Sequence, residues 1–247
     1  MAFGEGHGNC SKAITTTIED SPTEVNLATV LRSLFNREPS RPERTARTVL
    51  SGPRIPRHSS GWGAMLKHLK EEESLRVLDI GPTSPSNINF LTGLGHSCYM
   101  ADVVHEALTG QWVTPPPEEG GEAGFDTDAF FEQNLNFGGR AFDVVLLWTT
   151  LDYIPEGLVK PFIQRLHAAM RPGGRVLAIF HTKAAGPDTT FCRYHLTNED
   201  TIEMQESEPH PILRVYTNRS IEKLFSRFSN YRFFLAKDNI YEVIITR

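Results

Sequence analysis

At 247 residues, with 39% apolar and 22% charged side chains and a formal net charge of −5, the chain has the make-up of one globular α/β domain with an appendage. Three cysteines (Cys10, Cys98 and Cys192) without a CxxC pair argue against a disulfide framework and against a structural zinc site, so no metal is expected. Met1 to Thr17 lacks the apolar core of a signal peptide, and no window approaches the ~18–20 apolar residues of a membrane span, so a soluble cytoplasmic protein without a membrane partner is expected.

Charge is uneven along the chain. Residues 1–60 carry eight Lys/Arg against six Asp/Glu, a balance of +2, and residues 61–247 carry −7. An acidic folded part argues against nucleic acid as the main partner. Residues 1–60 read as a mobile extension holding one helix at 22–36, where Val25, Leu27, Val30, Leu31, Leu34 and Phe35 recur at helical spacing. The arginines and prolines of 37–60 read as a solvated linker, because no aromatic residues interleave to stack on bases.

From residue 61 a main domain is expected. Trp62, Met65, Leu66 and Leu69 mark a helix leading into a buried strand at 76–80. A helix opening near Ser84-Pro85 follows, then a strand at 97–102 and a short helix at 103–110. Residues 114–128 form a Pro/Gly/Glu-rich loop, and a third strand near 130–137 is the weakest element of the pattern. Phe142–Trp148 is a buried strand, Pro155 opens a long amphipathic helix, and Arg171-Pro172-Gly173-Gly174 ends it before a strand at 175–181. This alternation means βαβ units and a mostly parallel sheet. Residues 182–217 break it with a hairpin expected over the strand ends. A helix at 220–228 and an antiparallel hairpin, 231–236 with 240–246, close the chain.

Two features outline a nucleoside crevice. Val77-Leu78-Asp79-Ile80-Gly81 ends an apolar strand in Asp-x-Gly, and Tyr99-Met100-Ala101-Asp102 ends the next strand in a carboxylate that can accept from a ribose diol. The first turn, Gly81-Pro82-Thr83-Ser84-Pro85, keeps one glycine of the three in a pyrophosphate fingerprint, so a ligand without phosphates fits it better than a dinucleotide.

These stretches, with Phe142–Trp148, Leu151-Asp152-Tyr153-Ile154 and Met170-Arg171-Pro172-Gly173-Gly174, resemble the motifs of class I S-adenosylmethionine-dependent methyltransferases. The resemblance implies a Rossmann-like three-layer α/β sandwich with a seven-stranded, mostly parallel sheet and one antiparallel C-terminal strand. It implies S-adenosylmethionine as cofactor, a small-molecule acceptor, and donor contacts from Asp79, Gly81, Pro82, Thr83, Asp102, Trp148 and Thr149. Thr83 and Pro85 stand where the family usually has glycine.

Methyl transfer depends mainly on in-line positioning, and a general base is required only for a protonated acceptor. Asp152, Tyr153 and His181 are the candidates near the strand ends, joined by Tyr194 and His195 if the 182–217 hairpin folds over the site. A non-catalytic relative that keeps the fold for binding is the first rival reading. An NAD-dependent oxidoreductase is the second.

Overall fold

The computed structural model describes residues 52–108, 111–116, 124–183, 190–235, 238 and 240–247. The helix expected at 22–36 and most of the 37–60 stretch lie outside these residues.

In chain order the elements are β1 (Arg54–His58), α1 (Ser60–Glu71), β2 (Arg76–Ile80), α2 (Pro85–Gly93), β3 (Ser97–Ala101) and α3 (Val103–Leu108). A two-residue ladder of β4 (Val113–Thr114) and β5 (Gly124–Phe125) follows, then α4 (Thr127–Asn134) and β6 (Phe142–Trp148). Next come α5 (Thr150–Tyr153), α6 (Glu156–Ala169), β7 (Met170–His181), β8 (Thr190–Leu196), β9 (Thr201–Pro209), α7 (Asn218–Leu224), β10 (Asn230–Leu235) and β11 (Ile240–Thr246).

The main sheet has the order β10-β11-β7-β6-β2-β3. β3, β2, β6 and β7 run parallel, and β11 is antiparallel to both its neighbours. The reversed last strand is therefore present, but among the described residues the sheet has six strands rather than seven. The expected third strand is replaced by α4: Asp126 caps it through Ala129 N–H, and Phe130 turns into the core instead of a sheet. β7 also begins earlier than expected, at Met170, with Gly173 at φ +79° carrying the turn inside the strand.

Each central strand alternates between two buried faces. Leu78, Ile80, Val145, Leu147, Ala178 and Phe180 face α3, α4, α6 and α7. Val77, Val144, Leu146, Leu177 and Ile179 face α1 and α2. On the second side Trp62 of α1 is fully buried and donates its Nε1–H to Thr197 O at 3.1 Å. Burying an apolar side chain of this size contributes about 1.5–3 kcal/mol. Gly61 allows the close approach of α1, since a Cβ there would stand 2.9 Å from Leu177 Cδ1 and from Glu242 Oε2.

A second sheet, β1-β9-β8, is antiparallel throughout. β8 and β9 are the expected hairpin. β1 comes from the stretch read as linker: Arg54–His58 pairs with Gln205–Thr201, and Pro56 is tolerated because β1 is an edge strand. The Arg57 guanidinium ties β1 to the main domain through Asp238, at 2.6 Å, and the buried carboxylate of Glu242. Among the described residues no helix is long and apolar enough to cross a membrane.

Candidate functional site

Because β2, β3, β6 and β7 are parallel, their C-terminal ends share one edge of the sheet, the edge at which open α/β sheets bind ligands. The β2–β3 register pairs Ile80 with Ala101, so Gly81 and Asp102 follow side by side at this edge. Gly81 is buried, while Pro82, Thr83 and Asp102 are partly exposed. A carboxylate beside a tight turn suits a nucleoside: the carboxylate accepts from a diol, and the turn lets the ligand lie against backbone.

Asp79 lies inward of that surface. It is buried, with Oδ1 accepting from Trp148 Nε1 at 2.6 Å and Oδ2 accepting from Asn87 Nδ2 at 2.8 Å. Burial pushes its pKa up to about 6, against the two hydrogen bonds that favour the charged form. Both oxygens are thus committed within the protein, and Asp79 braces the turn from below.

Trp148 has φ +49°, a conformation that costs a bulky residue about 1–3 kcal/mol. It is held there by Asp79 and by the Tyr194 ring, stacked on it at 4.7 Å and 8°. Trp148 is accordingly buried, as is Thr149, whose Oγ1 lies 3.3 Å from the Tyr194 hydroxyl.

Asn87 joins the two sheets. Its Nδ2 donates to Asp79 and to Tyr194 O (2.9 Å), and its Oδ1 accepts from Leu196 N–H (2.9 Å). One side chain thereby offers β8 the O-then-N pattern of a neighbouring strand and connects β8 to the Asp79 turn. Ser84 caps α2 through Asn87 N–H. With Ser86 it also sits 2.9–3.0 Å from His195 Nδ1. Gln205 Nε2 donates to Gly52 O, which leaves its Oε1 to accept from His195 Nε2–H at 2.9 Å. Both ring nitrogens of His195 are therefore occupied, and burial lowers its pKa, so it is a structural histidine. Tyr194 is also poorly suited to proton abstraction, since burial raises its pKa.

The remaining candidates meet at the ends of β6 and β7. Asp152 is fully buried, and its Oδ2 accepts from His181 N–H at 2.8 Å and pairs with His181 Nδ1 at 2.7 Å. Its Oδ1 is buried with no hydrogen-bond partner among the described residues, and desolvation raises the carboxyl pKa against the His181 contacts. The His181 side chain is 21% exposed, which gives it access that Asp152 lacks. Tyr153 packs edge-on to the His181 ring at 6.0 Å and is itself buried, with its pKa raised by burial and by Asp152. After β9, Leu213 and Arg214 donate backbone N–H groups to Asp152 O at 2.8 and 3.2 Å. In the same segment burial lowers the pKa of His210, against the charge of Glu208. Asn87, Gln205 and His210 escaped the sequence reading, having no motif to mark them, and Ser84 was read only as the start of α2. The one available signal was Ser84 ahead of Pro85, a capping pattern that gives no hint of a histidine partner.

The model for a methyltransferase domain matches residues 54–229. No curated protein matches significantly. Among solved structures, the Burkholderia thailandensis 1,6-didemethyltoxoflavin-N1-methyltransferase, with bound 1,6-didemethyltoxoflavin and S-adenosylhomocysteine, is 17% identical. Its match covers 94% of this chain and 92% of that one, with a TM-score of 0.42. A Sulfolobus solfataricus protein assigned to the type 11 methyltransferases is 12% identical over 73% of this chain and 88% of its own, with a TM-score of 0.41. With the family model spanning most of the chain and the parallel sheet carrying the Gly81 and Asp102 edge, the chain belongs to the methyltransferase domain family, as a class I S-adenosylmethionine-dependent methyltransferase of Rossmann-like fold.

Proposed function

We propose that the protein methylates an O–H or N–H group of a small-molecule acceptor, with His181 as general base and Asp152 as its positioning residue. The observation that carries this reading is the Asp152–His181 contact at 2.7 Å between a fully buried carboxylate and a partly exposed imidazole. An ionised Asp152 accepts the Nδ1–H, which leaves the Nε2 lone pair to take the acceptor's proton.

S-adenosylmethionine supplies an activated methyl group when bound. Asp102 would hold its ribose hydroxyls, and the backbone of Gly81, Pro82 and Thr83 would lie along it. Asp79, Trp148 and Thr149 would shape the floor of that crevice from below rather than touch the donor. The side-by-side placement of Gly81 and Asp102 at one sheet edge supports this fit. The acceptor would lie toward His181, under the segment that bonds Asp152 O.

A screen of small-molecule acceptors with radiolabelled donor tests the reading. His181→Gln should bind S-adenosylhomocysteine like the wild type, while methyl transfer falls by about 10²–10⁴-fold, the usual share of a general base. Transfer at the wild-type rate by His181→Gln would remove the base assignment.

A further inference from the structure

Away from the β2–β3 edge, a groove of about 650 Å³ runs between α6 and α7. From Glu156 to His167 it follows α6 for about 16 Å, at 1.5 Å per residue. Its lining is strongly one-sided in charge: Lys160, Arg214, Lys223 and Arg227 face a single acid, Glu156. That acid is already paired with Arg214. Lys160, Lys223 and Arg227 are exposed and have no ion-pair partner among the described residues. Burial, and after it the charges of Arg247 and Arg227, lowers the pKa of His167 in this lining, against a backbone hydrogen bond with Arg227. All this stands on a part of the chain, residues 61–247, that carries −7 overall.

The floor has a different character. Val159, Ile163, Leu224 and Phe228 give the groove an apolar base between the cations. The volume falls in the range that encloses small organic molecules. A bare inorganic ion would leave the apolar floor wet. A nucleic acid would find no exposed ring to stack on, since Tyr216 and Phe228 are buried.

We propose that this groove is a second binding site, for a small organic anion with an apolar body and a phosphate, sulfonate or carboxylate group. The apolar body lies on the Ile163–Leu224 floor, and the anionic group is held by Lys160, Lys223 and Arg227. At the groove's upper end Arg214 belongs both to this lining and, through its backbone, to the segment bonded to Asp152.

The test is a fluorescence titration of the full chain, with S-adenosylhomocysteine at saturation, using 1-anilinonaphthalene-8-sulfonate and the uncharged N-phenyl-1-naphthylamine. The sulfonate should bind the wild type about tenfold more tightly than its uncharged analogue. Combined Lys160→Gln, Lys223→Gln and Arg227→Gln should erase that preference. Combined Lys67→Gln, Lys70→Gln and Arg232→Gln, an equal charge change elsewhere on the surface, should keep it. Equal affinity for the two probes in the wild type, loss of the preference in both triple variants, or a preference seen only when S-adenosylhomocysteine is left out would each overturn the proposal.

Discussion

Asp152 Oδ2 accepts from the backbone N–H of His181 and pairs with its ring Nδ1, at 2.8 and 2.7 Å. Both contacts come from one residue, so the carboxylate fixes the end of β7 and the imidazole together. The two residues are 29 positions apart in sequence and meet because β6 and β7 are parallel neighbours.

This double contact separates positioning from fold. Asp152→Asn keeps an oxygen for the His181 N–H, and its new amide occupies the place of the unpartnered Oδ1. Stability should fall by about 1–2 kcal/mol. Methyl transfer should fall by at least about tenfold, because a neutral amide no longer stabilises the imidazolium. Thermal unfolding and single-turnover transfer measure the two effects. A variant that unfolds earlier yet transfers at the wild-type rate would reduce Asp152 to a structural residue.

Asp79 makes a pH prediction with a definite sign. Its pKa rises from 3.8 to about 6 in the fold, so the native state holds the proton more tightly than the unfolded chain does. The stabilisation is complete below pH about 4 and is lost as the pH rises through about 6, by about 3 kcal/mol. Asp79→Asn faces two donors, Trp148 Nε1–H and Asn87 Nδ2–H, with one acceptor oxygen, and should cost about 1–3 kcal/mol at low pH. Denaturant titrations between pH 4 and 7 should show the gap between wild type and variant narrowing as pH rises. A gap that is constant or widens would contradict the buried-acid assignment.

Asn87 is the joint between the main sheet and the β1-β9-β8 sheet. Asn87→Ala removes the acceptor of Leu196 N–H and the donor to both Asp79 and Tyr194 O. A loss of about 2–4 kcal/mol is expected. Amide exchange at Leu196 should quicken ahead of the rest of the core. Unchanged melting and unchanged exchange at Leu196 would show that the sheets are held by apolar packing alone.

The parallel core was legible because buried strands read as unbroken apolar runs, as in Phe142–Trp148, and because the closing hairpin alternates. The missing sheet strand and the unforeseen β1 share a cause. Phe130 and Phe131 are apolar whether they pack from a strand or from a helix, and Asp126 as an N-cap decides for the helix. Arg54–His58 is charged and contains a proline, so only its partner β9 makes it a strand. At the site, sequence named Asp152 and His181 separately but could not pair them. Asn87 was hidden altogether, since its partners include residues 107 and 109 positions away.

Isothermal titration with S-adenosylhomocysteine, on wild type and Asp102→Ala, tests the central claim most directly. A donor crevice at the Gly81–Asp102 edge predicts micromolar binding that Asp102→Ala weakens by about 1–3 kcal/mol with the melting temperature unchanged. Absence of heat with folded wild type, or equal affinity in the variant, would contradict it.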